Sequence, residues 1–415
     1  MNYRVLVCKY NELGLKSLNY QAKLLTRLAE TIKKICIREN IKLQSILTTS
    51  GRILCFFPTQ EIKKACEVFR YIIGIKSFAP AISSPRKINV LAQNISQYLI
   101  NWYKFQNYTS FSLILKGNTR LLPDELLFLS ELKSKISSKI KISGIPLYFK
   151  DHEADILVSV EIRKKGTYIY HQEIPTHFAG FPIESKTVFL LPWNNSPEEL
   201  LAGMLLMRRG AIVIPFSLHS NQLEMFHDFP PLLKELAKYY ADPLPYLTIS
   251  ESDLEKTCTL LQISEKREKD AVWTIFLEFI CLSSIKEAQF KMNDRNLHFK
   301  GIILPNRNSL NFYKYLQIPI LTPLVGFSQD FLNLIFNHLL EEPSNLSFHS
   351  LILNHISDTS KFEGNAQISK IDEDDMNFRF IIENIRNSES LKHELFNLTK
   401  KIKIHRIYGS ILPLN

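Results

Sequence analysis

Short apolar segments alternate with helical segments between residues 187 and 340, and this alternation limits the folds open to the chain. Each strand-like run is followed by a stretch whose apolar residues recur at helical spacing. The predicted strands are 187–191, 211–217, 246–249, 301–304 and 318–321, and the predicted helices are 198–208, 230–240 and a buried helix at 270–285. Such alternation is typical of a doubly wound, Rossmann-like parallel sheet.

The first 82 residues show a different order of elements. Strands are predicted at 3–9, 43–48, 52–57 and 76–80, and helices at 18–39 and 61–74. Two helices among four strands in so short a segment favour a small ferredoxin-like α+β domain over residues 1–82. The sequence SSPR at 83–86 is predicted to be a linker.

A second α/β unit follows over residues 83–176. Its predicted elements are a helix at 88–105, a strand at 110–116, a helix at 125–140 and strands at 155–162 and 167–172. The proline-bounded segment 175–182 marks a break, and the sheet domain is predicted over 177–345. Residues 346–415 are more polar and are predicted to be a C-terminal extension, with an acidic run at 372–375 and a basic end.

The positive charge is concentrated in the front half of the chain. The net charge is +10. Residues 1–185 carry 27 Lys and Arg against 14 Asp and Glu, whereas residues 186–415 carry 24 against 27. Because phosphate contacts need clustered basic side chains, the asymmetry favours a polyanion partner for the front half. A basic surface that serves only solubility is the alternative.

Neither the cysteines nor the histidines form a recognisable metal or redox motif. The six cysteines include no CxxC pair, and the eleven histidines are scattered. We therefore expect reduced thiols, no metal site and no catalytic residue among them. The chain also has no long uncharged apolar stretch, so we expect no signal peptide, no membrane span and a cytoplasmic location.

Three ordered motifs in the first domain carry a family resemblance. Residues 10–17 read YNELGLKS, residues 51–57 read GRILCFF and residues 69–81 read FRYIIGIKSFAPA. In this order and spacing they resemble the opening of the tRNA 4-thiouridine synthetase (tRNA sulfurtransferase) family. That resemblance implies a ferredoxin-like domain, a THUMP domain and a PP-loop ATPase domain.

The resemblance continues through about 330 residues. Residues 155–170, DILVSVEIRKKGTYIY, are similar to the last strands of a THUMP domain. Residues 179–191, AGFPIESKTVFLL, resemble the connection into the nucleotide-binding sheet. Residues 201–210 and 317–332 are similar to the helix after the nucleotide loop and to a later PLIG-type segment.

In the family the first two domains hold the tRNA acceptor stem and its unpaired 3′ end, so the resemblance implies that tRNA is the partner. Basic grooves with stacking aromatic side chains hold such ends, and Tyr168 and Tyr170 are candidates for stacking. Lys133 and Lys135 are alternatively a solvated helix face, and the two tyrosines are alternatively core residues. The candidate RNA-binding residues are Lys16, Arg86, Lys87, Lys116, Arg120, Lys133, Lys135, Arg163, Lys164 and Lys165.

The family's nucleotide loop is altered in this chain. Where the family has a glycine-rich SGGxDS loop, residues 190–204 read LLPWNNSPEELLAGM. Without glycine the backbone cannot approach phosphates closely, and proline removes an amide donor. Glu198 and Glu199 also place negative charge at a helix N-terminus, where it repels pyrophosphate. The altered loop residues are Asn194, Asn195, Ser196, Pro197 and Glu198, of which Asn194, Asn195 and Ser196 are either residual phosphate donors or ordinary helix-capping residues.

Two more family motifs and the sulfur-transfer cysteine are also missing. ILPNRNS stands at 303–309 in place of a TGES-type motif, Thr322 replaces an arginine, and no cysteine follows Cys281. We therefore predict a tRNA-binding protein with an inactive PP-loop domain, needing no cofactor and acting as a homodimer or with an active tRNA-modifying subunit. The alternatives are an active ATP- and Mg-dependent tRNA sulfurtransferase, or other tRNA-modifying enzyme, with a diverged loop, and an RNA-binding factor of another process.

Overall fold

The chain divides into two compact units, residues 1–176 and residues 177–415, which we call unit 1 and unit 2. The structure, a computed structural model, describes residues 3–10, 16–106, 108–183, 187–219, 229–282, 291–292, 295–296, 299–305, 316–324, 327, 330, 335, 379, 381–384 and 386–412.

The strands described in unit 1 form one continuous sheet. They run in the order β2-β3-β1-β4-β8-β7-β5-β6, with β9 pairing to β4. The strands are β1 (Val5–Lys9), β2 (Ser45–Thr49), β3 (Arg52–Phe56), β4 (Ser77–Ser84), β5 (Ser110–Gly117), β6 (Tyr148–Phe149), β7 (Ile156–Arg163), β8 (Gly166–Tyr170) and β9 (Ile174–Pro175). The order β2-β3-β1-β4 is the ferredoxin-like part and confirms that prediction.

Four helices of unit 1 bury apolar stripes against this sheet. They are α1 (Leu18–Arg38), α2 (Ile62–Phe69), α3 (Ile88–Gln106) and α4 (Glu125–Ile142). In α1 the buried residues include Leu24, Leu28 and Ile32, whose spacing places them on one helical face. The helices α3 and α4 share a core with β5, β7 and β8.

The predicted linker at 83–86 is wrong for its first two residues. The strand β4 continues to Ser84, pairing with β1 through Ser77–Ala81 and with β8 through residues 82–84. A serine pair before proline resembles a linker in sequence, but its backbone groups complete a ladder between two halves of one sheet.

The sheet of unit 1 curls on itself. In a flat sheet β3 and β7, separated by three strands, would lie roughly 19 Å apart at about 4.8 Å per strand. In the structure the side chains of these two strands meet, and Arg52 Nε in β3 lies 2.9 Å from Glu161 Oε1 in β7. A buried cluster from β1, β3, β4 and β8, which includes Tyr168 and Tyr170, fills the concave face between them.

Unit 2 contains the predicted parallel sheet, which confirms the fold class. Its order is β16-β15-β10-β11-β12-β17, parallel from β16 to β12. The strands are β10 (Val188–Pro192), β11 (Ile212–His219), β12 (Leu244–Ser250), β15 (Phe299–Ile303), β16 (Ile320–Leu321) and β17 (Lys403–Ile407), besides a separate ladder of β13 (Lys291–Met292) and β14 (Arg295–Asn296). The helices are α5 (Pro197–Arg208), α6 (Pro231–Lys238), α7 (Glu251–Leu260), α8 (Lys266–Leu282) and α9 (Glu389–Thr399).

Part of the predicted C-terminal extension belongs to the sheet, contrary to the prediction. The strand β17 pairs antiparallel with β12 at the sheet edge, from Leu244 opposite Ile407 to Thr248 opposite Lys403. The strand β17 is short, polar and far along the chain from the strand–helix alternation of residues 187–340. The sequence therefore did not predict that it joins the sheet. The domain boundaries drawn from sequence stay predictions, and the acidic run 372–375 lies outside the described residues.

The predicted buried helix at 270–285 exists as α8, and its one charged core residue has a partner. Glu278 accepts hydrogen bonds from Arg386 Nη2 at 2.9 Å and from the backbone N–H of Gln317 at 3.1 Å. The Arg386 contact fastens α8 to the segment before α9, and the Gln317 contact fastens it to the segment before β16. Within the described ranges, no helix has the length and apolarity that crossing a membrane requires.

Candidate functional site

Two of the predicted RNA-binding cations are held by buried or half-buried carboxylates. Arg163 Nε donates to Glu161 Oε1 at 2.9 Å, and its Nη1 donates to the carbonyl of Ser50 at 2.7 Å. Lys116 Nζ lies 3.1 Å from Glu173 Oε1. These two side chains therefore stabilise the curled sheet of unit 1.

Glu161 is the centre of the larger of these two ion-pair clusters. Its side chain is fully buried, and it accepts a hydrogen bond from Tyr170 Oη at 2.7 Å besides pairing with Arg52 and Arg163. Burial acts to raise the pKa of this carboxyl, but Arg52, Tyr170 and Arg163 outweigh it, so the pKa of Glu161 lies below its ordinary value. The carboxylate is thus charged at neutral pH.

The second cluster joins β1, β5 and the segment after β8. Glu173 accepts from Lys9 Nζ at 2.5 Å as well as from Lys116. Burial opposes ionisation, yet the two lysines lower the pKa of Glu173 below its ordinary value. Lys116 Nζ also lies 5.5 Å from the centre of the Tyr170 ring.

Tyr168 and Tyr170 are not stacking platforms. Their exposed fractions are 2% and 0%, and both belong to the cluster on the concave face of the sheet. A base cannot reach a ring that has no exposed face, so the core interpretation of these two residues is the correct one. The sequence of β8 alone does not determine whether these two side chains lie on the buried or the exposed face of the sheet.

Three other candidates make surface contacts. Lys133 Nζ lies 3.0 Å from Asp151 Oδ1 and 4.3 Å from the centre of the Phe149 ring. Lys135 Nζ lies 3.4 Å from Glu131 Oε1, one helical turn away. Arg86 Nη2 donates to the carbonyl of Arg163 at 2.7 Å. Exposed pairs of this kind contribute little stability, and the two lysines can exchange a carboxylate for a phosphate.

The remaining candidates are exposed basic side chains. Lys164 and Lys165 form the two-residue turn between β7 and β8, where Arg163 pairs with Gly166. Counting partners only in the part of the chain that the structure describes, Lys87, Arg120, Lys164 and Lys165 have no ion pair. Lys16 is exposed as well. A tight turn holds two neighbouring ammonium groups on a rigid hairpin.

The altered nucleotide loop connects β10 to α5 and is closed by an internal carboxylate. Glu199 Oε2 accepts from the backbone N–H of Asn194 at 2.7 Å and from that of Ser196 at 3.1 Å. Glu199 Oε1 accepts from Asn194 Nδ2 at 3.1 Å, and Ser196 Oγ accepts from the backbone N–H of Glu199 at 3.2 Å. This is a capping box in which the loop's donors bind a carboxylate.

The rest of the loop follows from its sequence. Pro197 occupies the first helical position, where it supplies no N–H, and Glu198 stands in the same acidic first turn. Asn195 adopts a left-handed conformation with φ of 63°, which asparagine tolerates better than most residues. Burial, with Glu198 nearby, raises the pKa of Glu199 despite the hydrogen bonds from Ser196 and Asn194.

The negative charge of Glu199 at this helix N-terminus was predicted, but its closure of the loop was not, although the spacing of Ser196 and Glu199 is the signal for a capping box. Thr322, which replaces the family's arginine, is half-buried. Residues 306–309 of the ILPNRNS segment, and residues 11–15 of the first motif, lie outside the described residues. Among those that are described, no group of three or more His, Cys, Asp or Glu side chains is arranged to hold a metal ion.

Curated relatives of the chain are tRNA sulfurtransferases. Over 343 residues it is 24% identical to a probable tRNA sulfurtransferase of Brevibacillus brevis, covering 79% of this chain and 80% of the relative. Over 344 residues it is 22% identical to one of Thermococcus kodakarensis, covering 79% and 85%. The predicted resemblance to the tRNA 4-thiouridine synthetase family is confirmed. No protein-family model matches the chain.

One further relative matches over about half of its length, and two solved structures are similar in fold. A probable tRNA sulfurtransferase of Natranaerobius thermophilus is 25% identical over 230 residues, and this match spans 52% of each chain, about half the relative's length. A solved 4-thiouridine synthetase–RNA complex with bound ATP is 15% identical, with a TM-score of 0.65 and coverage of 98% of this chain and 100% of that one. A Pyrococcus horikoshii structure is 18% identical with a TM-score of 0.58, covering 81% and 99%.

Proposed function

We propose that this protein binds tRNA through unit 1, at the acceptor end, and that unit 2 does not use ATP. Support for tRNA as the ligand comes from relatives that are named tRNA sulfurtransferases and from a solved neighbour that contains RNA. Unit 1 also carries 27 Lys and Arg against 13 Asp and Glu. An excess of this size favours a polyanion, because each neutralised phosphate releases counterions.

The observation that carries the second half of the proposal is the carboxylate of Glu199. It takes up the N–H groups of Asn194 and Ser196 that would otherwise face a phosphate. A phosphate loop works through unengaged backbone amides and glycine, and here the amides are engaged while Pro197 lacks one. A nucleotide would have to displace a buried anion and then accept a negative charge beside Glu198.

Under this proposal, chemistry on the bound tRNA belongs to another polypeptide. The protein holds the substrate, as a homodimer or in a heterodimer, and in the heterodimer a related active subunit supplies the nucleotide site. The alternative, an active ATP-dependent tRNA sulfurtransferase, requires the loop after β10 to release Glu199 and bind ATP with magnesium.

Charge reversal at the β7–β8 turn tests the RNA-binding half. Labelled tRNA is titrated at two salt concentrations against the wild type, K164E/K165E and the matched pair K63E/K64E, whose lysines are exposed on α2. We expect K164E/K165E to bind at least about tenfold more weakly, with a log–log salt slope smaller by about 2. The control pair keeps wild-type binding.

A competitor decides between acceptor-end recognition and general RNA binding. An unlabelled tRNA without its unpaired 3′ end should compete less well than the intact tRNA. Equal competition by both, or by unrelated RNA, would favour an RNA-binding factor of another process. Equal effects of the two lysine pairs would remove the β7–β8 turn from the site.

A further inference from the structure

The carboxylates of the two ion-pair clusters in unit 1 differ in exposure. The side chain of Glu161 is fully buried, whereas that of Glu173 is 30% exposed. The lysine partners of Glu173 are exposed to a similar degree, Lys9 by 24% and Lys116 by 27%. A dissolved anion can therefore reach the cluster of Glu173, Lys9 and Lys116, but it cannot reach Glu161.

Glu173 lies on a short irregular segment, whereas its two partners lie in strands. Residues 171–173 connect β8 to β9 and belong to neither strand. Lys9 is the last residue of β1 and pairs with β3 and β4, and Lys116 in β5 pairs with β7. A change of the Glu173 side-chain rotamer can therefore release both lysines while the strands keep their pairing.

The two lysines lie in positively charged surroundings. Lys9 is directly opposite Arg52 in the ladder of β1 and β3, and like charges at such positions repel each other. Lys116 is opposite Glu161, but that carboxylate also pairs with Arg52 and Arg163. The two clusters together contain four cations and two carboxylates. The excess of positive charge favours an anion beside the lysines.

Exchange of the Glu173 carboxylate for a phosphate costs the lysines little. Ion pairs that remain partly exposed contribute little stability, because their charges stay partly hydrated. Carboxylate and phosphate oxygens both accept charge-assisted hydrogen bonds from ammonium groups. A nucleic-acid phosphate that takes the place of the carboxylate also releases counterions, which favours the exchange at low salt concentration.

We infer that Lys9 and Lys116 form a phosphate seat that Glu173 occupies in the free protein, and that a phosphate of the bound RNA displaces Glu173 from it. This inference rests on the proposed binding of tRNA by unit 1. In the free protein Lys9 Nζ contacts both carboxylate oxygens, at 2.5 Å and 2.6 Å, and Lys116 Nζ contacts one of them at 3.1 Å. Because part of the binding free energy releases this carboxylate, Glu173 lowers the affinity for RNA.

Removal of the Glu173 charge tests the displacement. Labelled tRNA is titrated against the full-length wild type, E173Q and the control E30Q, which removes the same charge from an exposed position on α1. Glutamine keeps an oxygen that accepts hydrogen bonds from both lysines. We expect E173Q to bind tRNA about threefold to tenfold more tightly than the wild type, and E30Q to stay within about twofold. Circular dichroism and urea denaturation verify that both variants are folded.

A double-mutant cycle separates displacement from a structural role of the ion pair. K116M is measured in the wild type and in E173Q. We expect K116M to weaken tRNA binding by about threefold in the wild type and by about tenfold in E173Q. The loss is smaller in the wild type, because the variant removes a phosphate contact but also makes Glu173 easier to displace. A purely structural pair would give the same factor in both backgrounds.

Inorganic polyphosphate, titrated in parallel, presents charged oxygens without RNA structure and should show the same order of affinities. The inference is overturned if E173Q binds neither ligand more tightly than E30Q, or if K116M has equal effects in the two backgrounds. Binding of tRNA that K164E/K165E weakens and E173Q leaves unchanged would keep the proposed function and overturn this inference. Tighter polyphosphate binding by E173Q without tRNA binding by any variant would support the lysine seat and contradict RNA as its ligand.

Discussion

Glu161 is the residue on which the curled sheet of unit 1 depends, since it is fully buried between two guanidinium groups. Removing one partner of a buried ion pair leaves the others uncompensated. We expect E161Q to lower the free energy of unfolding by roughly 3 kcal/mol, measured by urea denaturation. The control E131Q breaks only the exposed pair with Lys135 and should change stability by less than about 0.5 kcal/mol.

His171 makes the stability of unit 1 depend on pH. Its Nδ1 lies 2.5 Å from Tyr98 Oη, and its ring packs against Trp102. Burial in these surroundings lowers the pKa of His171 to about 4. Below its ordinary pKa the unfolded chain takes up a proton that the folded chain refuses. Stability is therefore present above about pH 6.5 and is lost as the pH falls towards 4.

The variant H171Q isolates this effect, because glutamine keeps hydrogen-bonding groups without titrating. Between pH 7 and pH 5 we expect the wild type to lose on the order of 1–2 kcal/mol more than H171Q. Urea denaturation at the two pH values measures the difference. Parallel losses in the two proteins would show that His171 takes up its proton equally well in the folded and unfolded states, and would contradict the lowered pKa.

At the scale of elements, the pair of Glu278 and Arg386 fastens α8 to the segment before α9. Both guanidinium contacts are charge-assisted, at 3.1 Å and 2.9 Å, and the carboxylate is 4% exposed. R386M should destabilise unit 2 by roughly 3–5 kcal/mol, because it leaves a buried carboxylate without its cation. R379M breaks the exposed pair with Glu383 and is the matched control; similar losses in both would contradict the argument.

Most elements follow from local sequence, and those that do not are fixed by long-range pairing. The helix α1 and the strands β10 and β11 carry periodic apolar patterns that predict them within a residue or two. The strand β4 overruns a predicted linker because its last residues pair with β8, more than eighty residues further along the chain. The edge strand β17 likewise depends on β12, which no local pattern near residue 403 specifies.

In the candidate site too, some features follow from local sequence and others only from long-range contacts. Sequence identified the basic residues of unit 1, but it could not separate Arg163 and Lys116, which pair with carboxylates, from Lys164 and Lys165 at an exposed turn. The curl of the sheet makes that separation, by bringing β3 to β7. For the loop, the missing glycines were visible, whereas the closure by Glu199 required the capping-box geometry.

At the scale of the whole molecule, the basic charge and the closed loop lie in different units. The basic excess lies in unit 1, while residues 177–415 carry 24 Lys and Arg against 28 Asp and Glu. This division leads to the central claim that the protein holds tRNA without using ATP. The tRNA-bound protein is the form to test, because bound tRNA can complete an ATP site.

The most direct measurement is a calorimetric titration of ATP and magnesium into the tRNA-saturated protein. We expect no saturable heat up to about 1 mM ATP, which corresponds to a binding free energy weaker than about −4 kcal/mol. A saturating isotherm with a Kd in the micromolar range, near −8 kcal/mol, would contradict the account. It would mean that the loop after β10 releases Glu199 and that the protein is an ATP-dependent enzyme.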